Sequence, residues 1–176
     1  GMIANNSSGM TCGTTANTYR TIDSMVIALP SGTVIDTASP KAGEVLANQE
    51  PELVEVLTKL HTQLGRPEMR TDLQRRYSMK NTMGYGLNSF IDFDDPVKIL
   101  EHLMIGSEGT LGFVAEATLK TVPIQSKTAT GFLLFNSLDA ATEALPTIVD
   151  RGADVAELID SASILAMGTE AAPVLP

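Results

Sequence analysis

The first hydrophobic runs of the chain predict strands. Residues 21–29 form a β-branched and apolar run, and residues 33–35 form a second, shorter one. The intervening Pro-Ser-Gly sequence at 30–32 is typical of a turn. This pattern predicts a β-hairpin with a turn of several residues. Residues 1–20 are mostly small and polar, so we expect an irregular loop there.

Further along the chain, leucines recur at helical spacing. They are Leu53, Leu57, Leu60 and Leu64. Pro51 suits the first turn of a helix, and Gly65 is expected to end it in a left-handed conformation. His61 lies beside this stripe, and we interpret it as a surface or hydrogen-bonded residue rather than a metal ligand. The reason is that no His, Cys or Asp stands four residues away from it.

A second helix is predicted to begin after Asp94 and Asp95, because a carboxylate suits the cap position and Pro96 suits the first turn. Its buried side is expected to hold Val97, Leu100 and Met104. His102 falls on the same short helix.

The second half of the chain predicts further strands. Residues 113–122 alternate between two faces, and Pro123 is expected to end that strand. A strand–helix–strand unit is then predicted from about residue 128. It consists of a strand at 130–135, a helix from Ser137 to about residue 150 that Pro146 is expected to kink, and a strand at 155–159.

The composition is that of a folded globular domain, with 43% hydrophobic and 19% charged residues among 176. The formal charge of -9 disfavours a nucleic-acid or anionic-membrane surface. One cysteine, Cys12, allows neither an internal disulfide nor a cysteine-rich zinc site. No apolar run is long enough to span a bilayer, and no signal peptide is visible, so we expect a cytoplasmic location.

One segment of this acidic protein, residues 66–80, is basic. Residues 66–80 hold five of the twelve basic residues, against only Glu68 and Asp72. We favour a solvated helix face; the alternative is that these cations offset an anionic ligand.

Two loops could carry chemistry. The first is Asn5-Asn6-Ser7-Ser8-Gly9, whose amides, hydroxyls and backbone N–H groups could surround a phosphate or the edge of a heterocycle, although such loops are more often plain turns. The second runs from Ile105 to Gly112 and contains three glycines. It matches neither the Walker A loop nor the G-x-G-x-x-G fingerprint, so a tight bend and a ligand contact have equal weight.

A resemblance favours the ligand contact. The run IGSEGTLGFVAEATLK resembles the signature of FAD-linked oxidases of the vanillyl-alcohol oxidase type, the p-cresol methylhydroxylase superfamily. MIANNSSGM, IDSMVIALPSGTVIDT and RRYSMKNTMGYGLNSF resemble that family in the same order. The segments KNTMGYGLN and IDFDDPVKILEHLMIGSEGTLGF are most similar to the D-lactate and D-2-hydroxyglutarate dehydrogenase branch.

The resemblance implies an α+β fold, an antiparallel sheet flanked by helices. It makes residues 1–126 the second part of an FAD-binding domain of the p-cresol methylhydroxylase type, and residues 127–176 the start of an α+β cap domain. By the same resemblance, the cofactor-binding residues are Asn5, Asn6, Ser7, Ser8, Gly9, Ile105, Gly106, Ser107, Glu108, Gly109, Thr110, Leu111, Gly112, Phe113 and Val114. Tyr77, Lys80, Asn81 and Tyr85 match motif positions near the cofactor or substrate.

The implied activity is hydride transfer from the CH–OH group of a small D-2-hydroxy acid to FAD, within a longer parent enzyme. Its implied partners are the hydroxy acid, a quinone or protein electron acceptor, and a second copy of the chain. A peripheral position at the inner membrane and an iron–sulfur cluster elsewhere in the parent also follow from the resemblance. No catalytic residue and no metal ligand can be named in this chain.

The abrupt start of the chain and the lack of the family's first pyrophosphate loop suggest a fragment, which we expect to be inactive alone. The rival interpretation is a non-catalytic module that keeps the fold without flavin. Cys12 is interpreted as an incidental thiol rather than a covalent flavin anchor.

Overall fold

A computed structural model describes residues 1–7, 9, 12–124 and 126–166. The chain divides into an N-terminal unit, residues 1–123, and a C-terminal unit, residues 124–176. The fold is α+β, as the sequence predicts. The helices are α1 (Thr18–Thr21), α2 (Ala42–Gln49), α3 (Pro51–Leu64), α4 (Pro67–Tyr77), α5 (Ser89–Asp92), α6 (Pro96–Leu103), α7 (Leu138–Asp150) and α8 (Ser161–Ala166).

One antiparallel sheet lies in the N-terminal unit. Its strands are β1 (Ile22–Ala28), β2 (Val34–Asp36) and β3 (Phe113–Leu119), in the order β2-β1-β3. Ile27 pairs with Ile35 on one side and with Val114 on the other. The predicted hairpin and the predicted strand from residue 113 are therefore confirmed, although β3 ends at Leu119, before residue 122.

The core lies between β1 and the helices. Met25 and Ile27 on β1 are almost fully buried, together with Ile35 on β2. They belong to one cluster with Leu46 of α2, Leu57 of α3, Phe90 of α5, and Val97, Ile99 and Leu100 of α6. The leucine stripe of α3 and the apolar side of α6 thus face the core, as their spacing predicts.

The buried carboxylate of Glu101 helps to hold α6 to the hairpin. The carboxylate of Glu101, with no exposed surface, accepts hydrogen bonds from Lys98 Nζ at 2.9 Å and from the hydroxyl of Thr37. Thr37 Oγ1 in turn accepts from the backbone N–H of Met25 at 2.9 Å, and Lys98 Nζ also donates to the carbonyl of Asp23 at 3.1 Å. Both oxygens of the buried carboxylate therefore have donors, which such a charge requires.

The predicted end of α3 is wrong in its geometry. Gly65 has φ -72° and ψ -8°, a right-handed conformation, and not the left-handed one expected. Its missing side chain matters for another reason, because a Cβ there would lie 2.9 Å from the carbonyl oxygen of His61. The chain turns straight into α4, which begins at Pro67. Glycine suits this position because the carbonyl oxygen of His61 lies too close for a side chain, and not because φ is positive.

The helix starts follow the predicted caps. Asp95 Oδ1 accepts from the N–H of Val97 at 3.0 Å, and Ser137 Oγ accepts from the N–H of Ala140 at 3.2 Å. The helix α7 continues through Pro146 to Asp150.

The predicted strand–helix–strand unit is wrong in its strands. Of its three elements only the helix forms, because residues 130–135 and 155–159 are not strands. Phe132 to Phe135 are 42–60% exposed, and no sheet partner adjoins them within the described residues. A β-prone run forms a strand only where a neighbour pairs with its backbone.

Candidate functional site

The two loops singled out in the sequence lie against each other. The N–H of Gly106 donates to the carbonyl of Ile3 at 3.1 Å, and the N–H of Glu108 donates to the carbonyl of Ala4 at 2.8 Å. These bonds join residues about 100 positions apart in the sequence. The first loop and the glycine-rich loop therefore form one structural unit.

Among the described residues of these two loops, four have left-handed backbones. Two of them are glycines, Gly106 with φ +81° and Gly109 with φ +77°. A Cβ on Gly106 would lie 2.4 Å from the carbonyl oxygen of Gly84, whereas Gly109 faces open space. The other two are Asn6, φ 56°, and Glu108, φ 52°. Gly106 is therefore required by both conformation and space, because a third segment of chain passes directly over it.

The side chains of the first loop orient Glu108. Asn5 Nδ2 donates to Glu108 Oε1 at 2.8 Å, and Ser7 Oγ donates to Asn5 Oδ1 at 2.7 Å. The carboxylate of Glu108 is thus held by a chain of two hydrogen bonds that begins at Ser7.

The third segment, residues 77–87, contacts the glycine-rich loop through Tyr85. Thr110 Oγ1 donates its single hydrogen to the carbonyl of Ser107 at 2.6 Å, so the phenol of Tyr85, 2.7 Å away, is the donor to Thr110. Tyr77 OH donates to the carbonyl of Tyr85 at 3.0 Å and accepts from the N–H of Leu87 at 3.0 Å. Tyr77 thus positions the backbone of residues 85–87, and Tyr85 contacts a side chain of the glycine-rich loop.

A polar cleft of about 540 Å³ opens where the three segments meet. It is lined by Asn5, Asn6, Ser7, Lys80, Thr82, Met83, Gly84 and Glu108. Lys80 Nζ donates to the carbonyl of Gly9 at 3.1 Å, which also accepts from the thiol of Cys12 at 2.8 Å. Sequence reasoning did not name Thr82, Met83 and Gly84 as site residues, although all three stand in the segment KNTMGYGLN, whose family resemblance was noted.

The backbone N–H groups of these loops are mostly used within the protein. Those of Asn5, Asn6 and Ser7 donate to carbonyls of residues 1–3. In the glycine-rich loop, five of the six N–H groups of residues 105–110 donate to protein carbonyls. Donors that hold the loops together cannot at the same time cradle an anion, so few backbone donors face the cleft.

The remaining predicted residues lie elsewhere. Ile105 and Ser107 are buried under the loop, and Leu111 packs against the core. Phe113 and Val114 pair with Ala28 and Ile27 in the sheet and do not line the cleft. A Cβ on Gly112 would lie 2.9 Å from the carbonyl oxygen of Ala28, and Ser8 lies outside the described residues.

Asn81 acts locally, because its Oδ1 accepts from the N–H of Met83 at 3.3 Å. His61 Nδ1 lies 2.9 Å from the carbonyl of Phe90, which agrees with a hydrogen-bonded helix residue. The basic residues Arg75 and Arg76 both pair with Asp72 on the exposed face of α4, as a solvated helix face would. Within the described residues, no group of three or more His, Cys, Asp or Glu side chains is placed to hold a metal ion.

Two titratable groups near the site have shifted pKa values. Burial and the neighbouring Asp92 raise the pKa of Tyr19, whose phenol donates to Asp92 Oδ2 at 2.9 Å. Burial lowers the pKa of His102, whose ring lies 4.2 Å from that of Phe93 and 4.6 Å from that of Tyr19. Both groups are therefore neutral at pH 7, and both are buried in the N-terminal unit and do not line the cleft.

Comparison with known proteins gives one curated relative at useful similarity. It is a D-2-hydroxyglutarate dehydrogenase of Haemophilus influenzae, 29% identical over 169 residues. The match covers 92% of this chain and 16% of the relative, so the chain spans about a sixth of that protein. No family model and no solved structure matches the chain. No helix among the described residues is long and apolar enough to cross a membrane.

Proposed function

We propose that this chain is part of the FAD-binding region of a flavin-dependent 2-hydroxy acid dehydrogenase, acting on a small D-2-hydroxy acid of the D-2-hydroxyglutarate or D-lactate type. The proposal is supported by the relative's activity and by the motifs of the two loops. A single structural observation carries it: the loop with Asn5 and Asn6 is hydrogen-bonded to the glycine-rich loop at Gly106 and Glu108. Loops distant in sequence thus build one polar cleft.

The cleft fits part of such a cofactor. Amide and hydroxyl groups of Asn5, Asn6, Ser7 and Thr82, with the carboxylate of Glu108, suit the hydroxyl groups and heterocyclic edges of a flavin nucleotide. When bound, a flavin supplies an acceptor for the hydride of a CH–OH group. This chain's residues would bind and orient it.

The finer assignments belong to the same proposal. Residues 1–126 would be the second part of a p-cresol methylhydroxylase-type domain, and residues 127–176 the start of the cap. The electron acceptor, an iron–sulfur cluster, self-association and a cytoplasmic or peripheral inner-membrane location remain predictions of the resemblance.

The test is the double substitution Asn5→Ala and Asn6→Ala in the natural full-length protein. We expect FAD binding to weaken by about 1–3 kcal/mol, because partners of the lost amides stay unsatisfied in the complex. Titration calorimetry with FAD measures the dissociation constant.

The matched control removes two exposed amides of α2, Asn48→Ala and Gln49→Ala, and should leave FAD binding unchanged. An unaltered dissociation constant in the Asn5/Asn6 variant, with the fold intact by circular dichroism, would mean that residues 5–9 form a plain surface loop. Absence of FAD binding by the unsubstituted protein would instead favour the rival interpretation of a module that keeps the fold without flavin.

A further inference from the structure

A second, smaller cavity adjoins the first loop. Its volume is about 30 Å³, and it shares Asn6, Met83 and Gly84 with the wall of the cleft. The rest of its wall comes from residues within 14–20 and 77–88 and from Ile105. A water molecule needs about 10–15 Å³ of such space, so the cavity has room for at least one.

Two buried oxygens on this wall lack a hydrogen-bond partner. They are Asn6 Oδ1 and Asn88 Oδ1, which have almost no exposed surface and no partner among the described residues. The described part of the chain holds one other buried side-chain oxygen of this kind, Ser89 Oγ. Buried polar atoms in folded proteins are as a rule hydrogen-bonded. Two such oxygens on one small cavity therefore point to a shared donor inside it.

The amide of Asn88 is fixed with its oxygen on the cavity side. Asn88 is 6% exposed, and its Nδ2 donates to Asp92 Oδ2 at 3.0 Å, beside the phenol of Tyr19 at 2.9 Å from the same oxygen. Turning the amide around would set Asn88 Oδ1 against the carboxylate of Asp92, with no hydrogen between the two acceptors. A Cβ on Gly86, another residue of the wall, would lie 3.4 Å from Asn88 Oδ1. The space beside this oxygen is therefore that of the cavity.

The two oxygens define the chemistry of the donor. Both are amide acceptors, so a group that serves both must supply two hydrogens, as water does. A metal cation suits the cavity poorly, because Arg20 lines the same wall and would repel it.

We propose that this cavity is a hydration site, in which an ordered water molecule donates one hydrogen to Asn88 Oδ1 and the other to Asn6 Oδ1. The water ties the first loop to the start of α5. It also fixes the side chain of Asn6, whose backbone is left-handed with φ 56°. Asn6 is then a positioning residue of the first loop, and this role does not depend on the proposed function.

The substitution Gly86→Ala tests the site by the sign of its effect. The backbone of Gly86 is not left-handed, and the new methyl group would contact Asn88 Oδ1 where the donor should stand. In the natural full-length protein we expect the urea midpoint to fall, because the water is displaced and two buried acceptors lose their donor. In a dry cavity the methyl group would fill space and reduce the entropy of the unfolded chain, so the midpoint would rise.

Gly43→Ala on α2 is the matched control. It makes the same change at an exposed position where no atom lies within 4 Å of the new Cβ, so the midpoint should not fall.

A second variant separates loss of the water from steric strain. Asn6→Gly suits the left-handed backbone and removes one of the two acceptors. In this background Gly86→Ala should lower the midpoint by less. Strain would leave the loss unchanged, because the three atoms nearest to the new Cβ belong to Asn88, His102 and Tyr19.

A crystal structure of the natural full-length protein shows the water directly. We expect a peak about 2.5–3.0 Å from both amide oxygens, which disappears in Gly86→Ala. The proposal is overturned by a cavity without such a peak, by a direct bond between Asn6 and Asn88, or by an anomalous peak at the site after a rubidium chloride soak, which would mean a monovalent cation. A raised midpoint in Gly86→Ala, or an unchanged loss in the Asn6→Gly background, overturns it as well.

Discussion

The two units of this chain carry similar amphipathic patterns but bury them very differently. In the N-terminal unit, Ile27 has no exposed surface and Met25 only 1%. In the C-terminal unit no described residue is buried, and Leu133, in an equally apolar run, is 60% exposed. A hydrophobic run is therefore not evidence for a core until a second surface packs against it.

The comparison also shows why a helix forms in the C-terminal unit although the predicted strands do not. The helix α7 forms in the C-terminal unit because its hydrogen bonds and its cap at Ser137 are local. A strand needs a neighbour to satisfy its backbone, and β1 has two of them, β2 and β3. Residues 130–135 have none among the described residues.

The largest loss of stability in the N-terminal unit is expected when its buried carboxylate, that of Glu101, is removed. Glu101→Ala removes the carboxylate and leaves Lys98 and Thr37 without their shared partner. We expect the free energy of unfolding to fall by about 3–5 kcal/mol, because the loss of a fully buried side chain leaves a cavity and Thr37 loses its buried acceptor. Urea denaturation followed by far-ultraviolet circular dichroism measures it.

Glu101→Gln serves as the control, because its amide oxygen still accepts a hydrogen bond from one donor. Its free energy of unfolding should fall less than that of Glu101→Ala. A loss below about 1 kcal/mol in Glu101→Ala would contradict a buried carboxylate that holds α6 to the hairpin.

A matched pair of truncations tests the comparison directly. Ile27→Ala should lower the free energy of unfolding by about 2–5 kcal/mol, because it leaves a cavity in a packed core. Leu133→Ala should change it by less than about 0.5 kcal/mol, as at exposed positions generally. The same urea titration measures both variants. Equal losses would mean that the two units are packed alike.

Most of the fold could be predicted from local pattern. The hairpin, the leucine stripe of α3 and the caps at Asp95 and Ser137 depend on neighbours in sequence, and all four are present. Gly65 could not be predicted correctly, because the early start of α4 at Pro67, and not the end of α3, decides its conformation.

The candidate site was predictable only in its residue types. The resemblance pointed to Asn5 and Glu108, but the bond between them joins residues 103 positions apart, which no local pattern shows. The use of backbone N–H groups between the loops was likewise invisible in the sequence. It reverses the expectation that these groups are available to a phosphate.

The smallest predicted effect is a pH dependence in the N-terminal unit. Burial lowers the pKa of His102 below its ordinary value of 6.5, with Glu101, Lys98 and Asp92 as the charged groups nearby. The unfolded chain therefore binds more protons than the folded one below about pH 6.5, so stability should fall as the pH is lowered through that value. One group contributes a slope of at most about 1.4 kcal/mol per pH unit.

Urea denaturation at several pH values between 7.5 and 5.5 reveals this slope, and His102→Gln should flatten it. A slope that survives in His102→Gln would assign the proton to another group.

The bonds that join residues 3 and 4 to residues 106 and 108 also have a kinetic consequence. Because the loops hold each other through their own backbones, the entropy of ordering them is lost when the chain folds and not when a ligand arrives. The part of the cleft wall that these two loops form is therefore ordered before a ligand arrives. We therefore expect a ligand to associate with this cleft in a single collision step, at a rate that rises in proportion to ligand concentration and without a plateau set by closure of these loops.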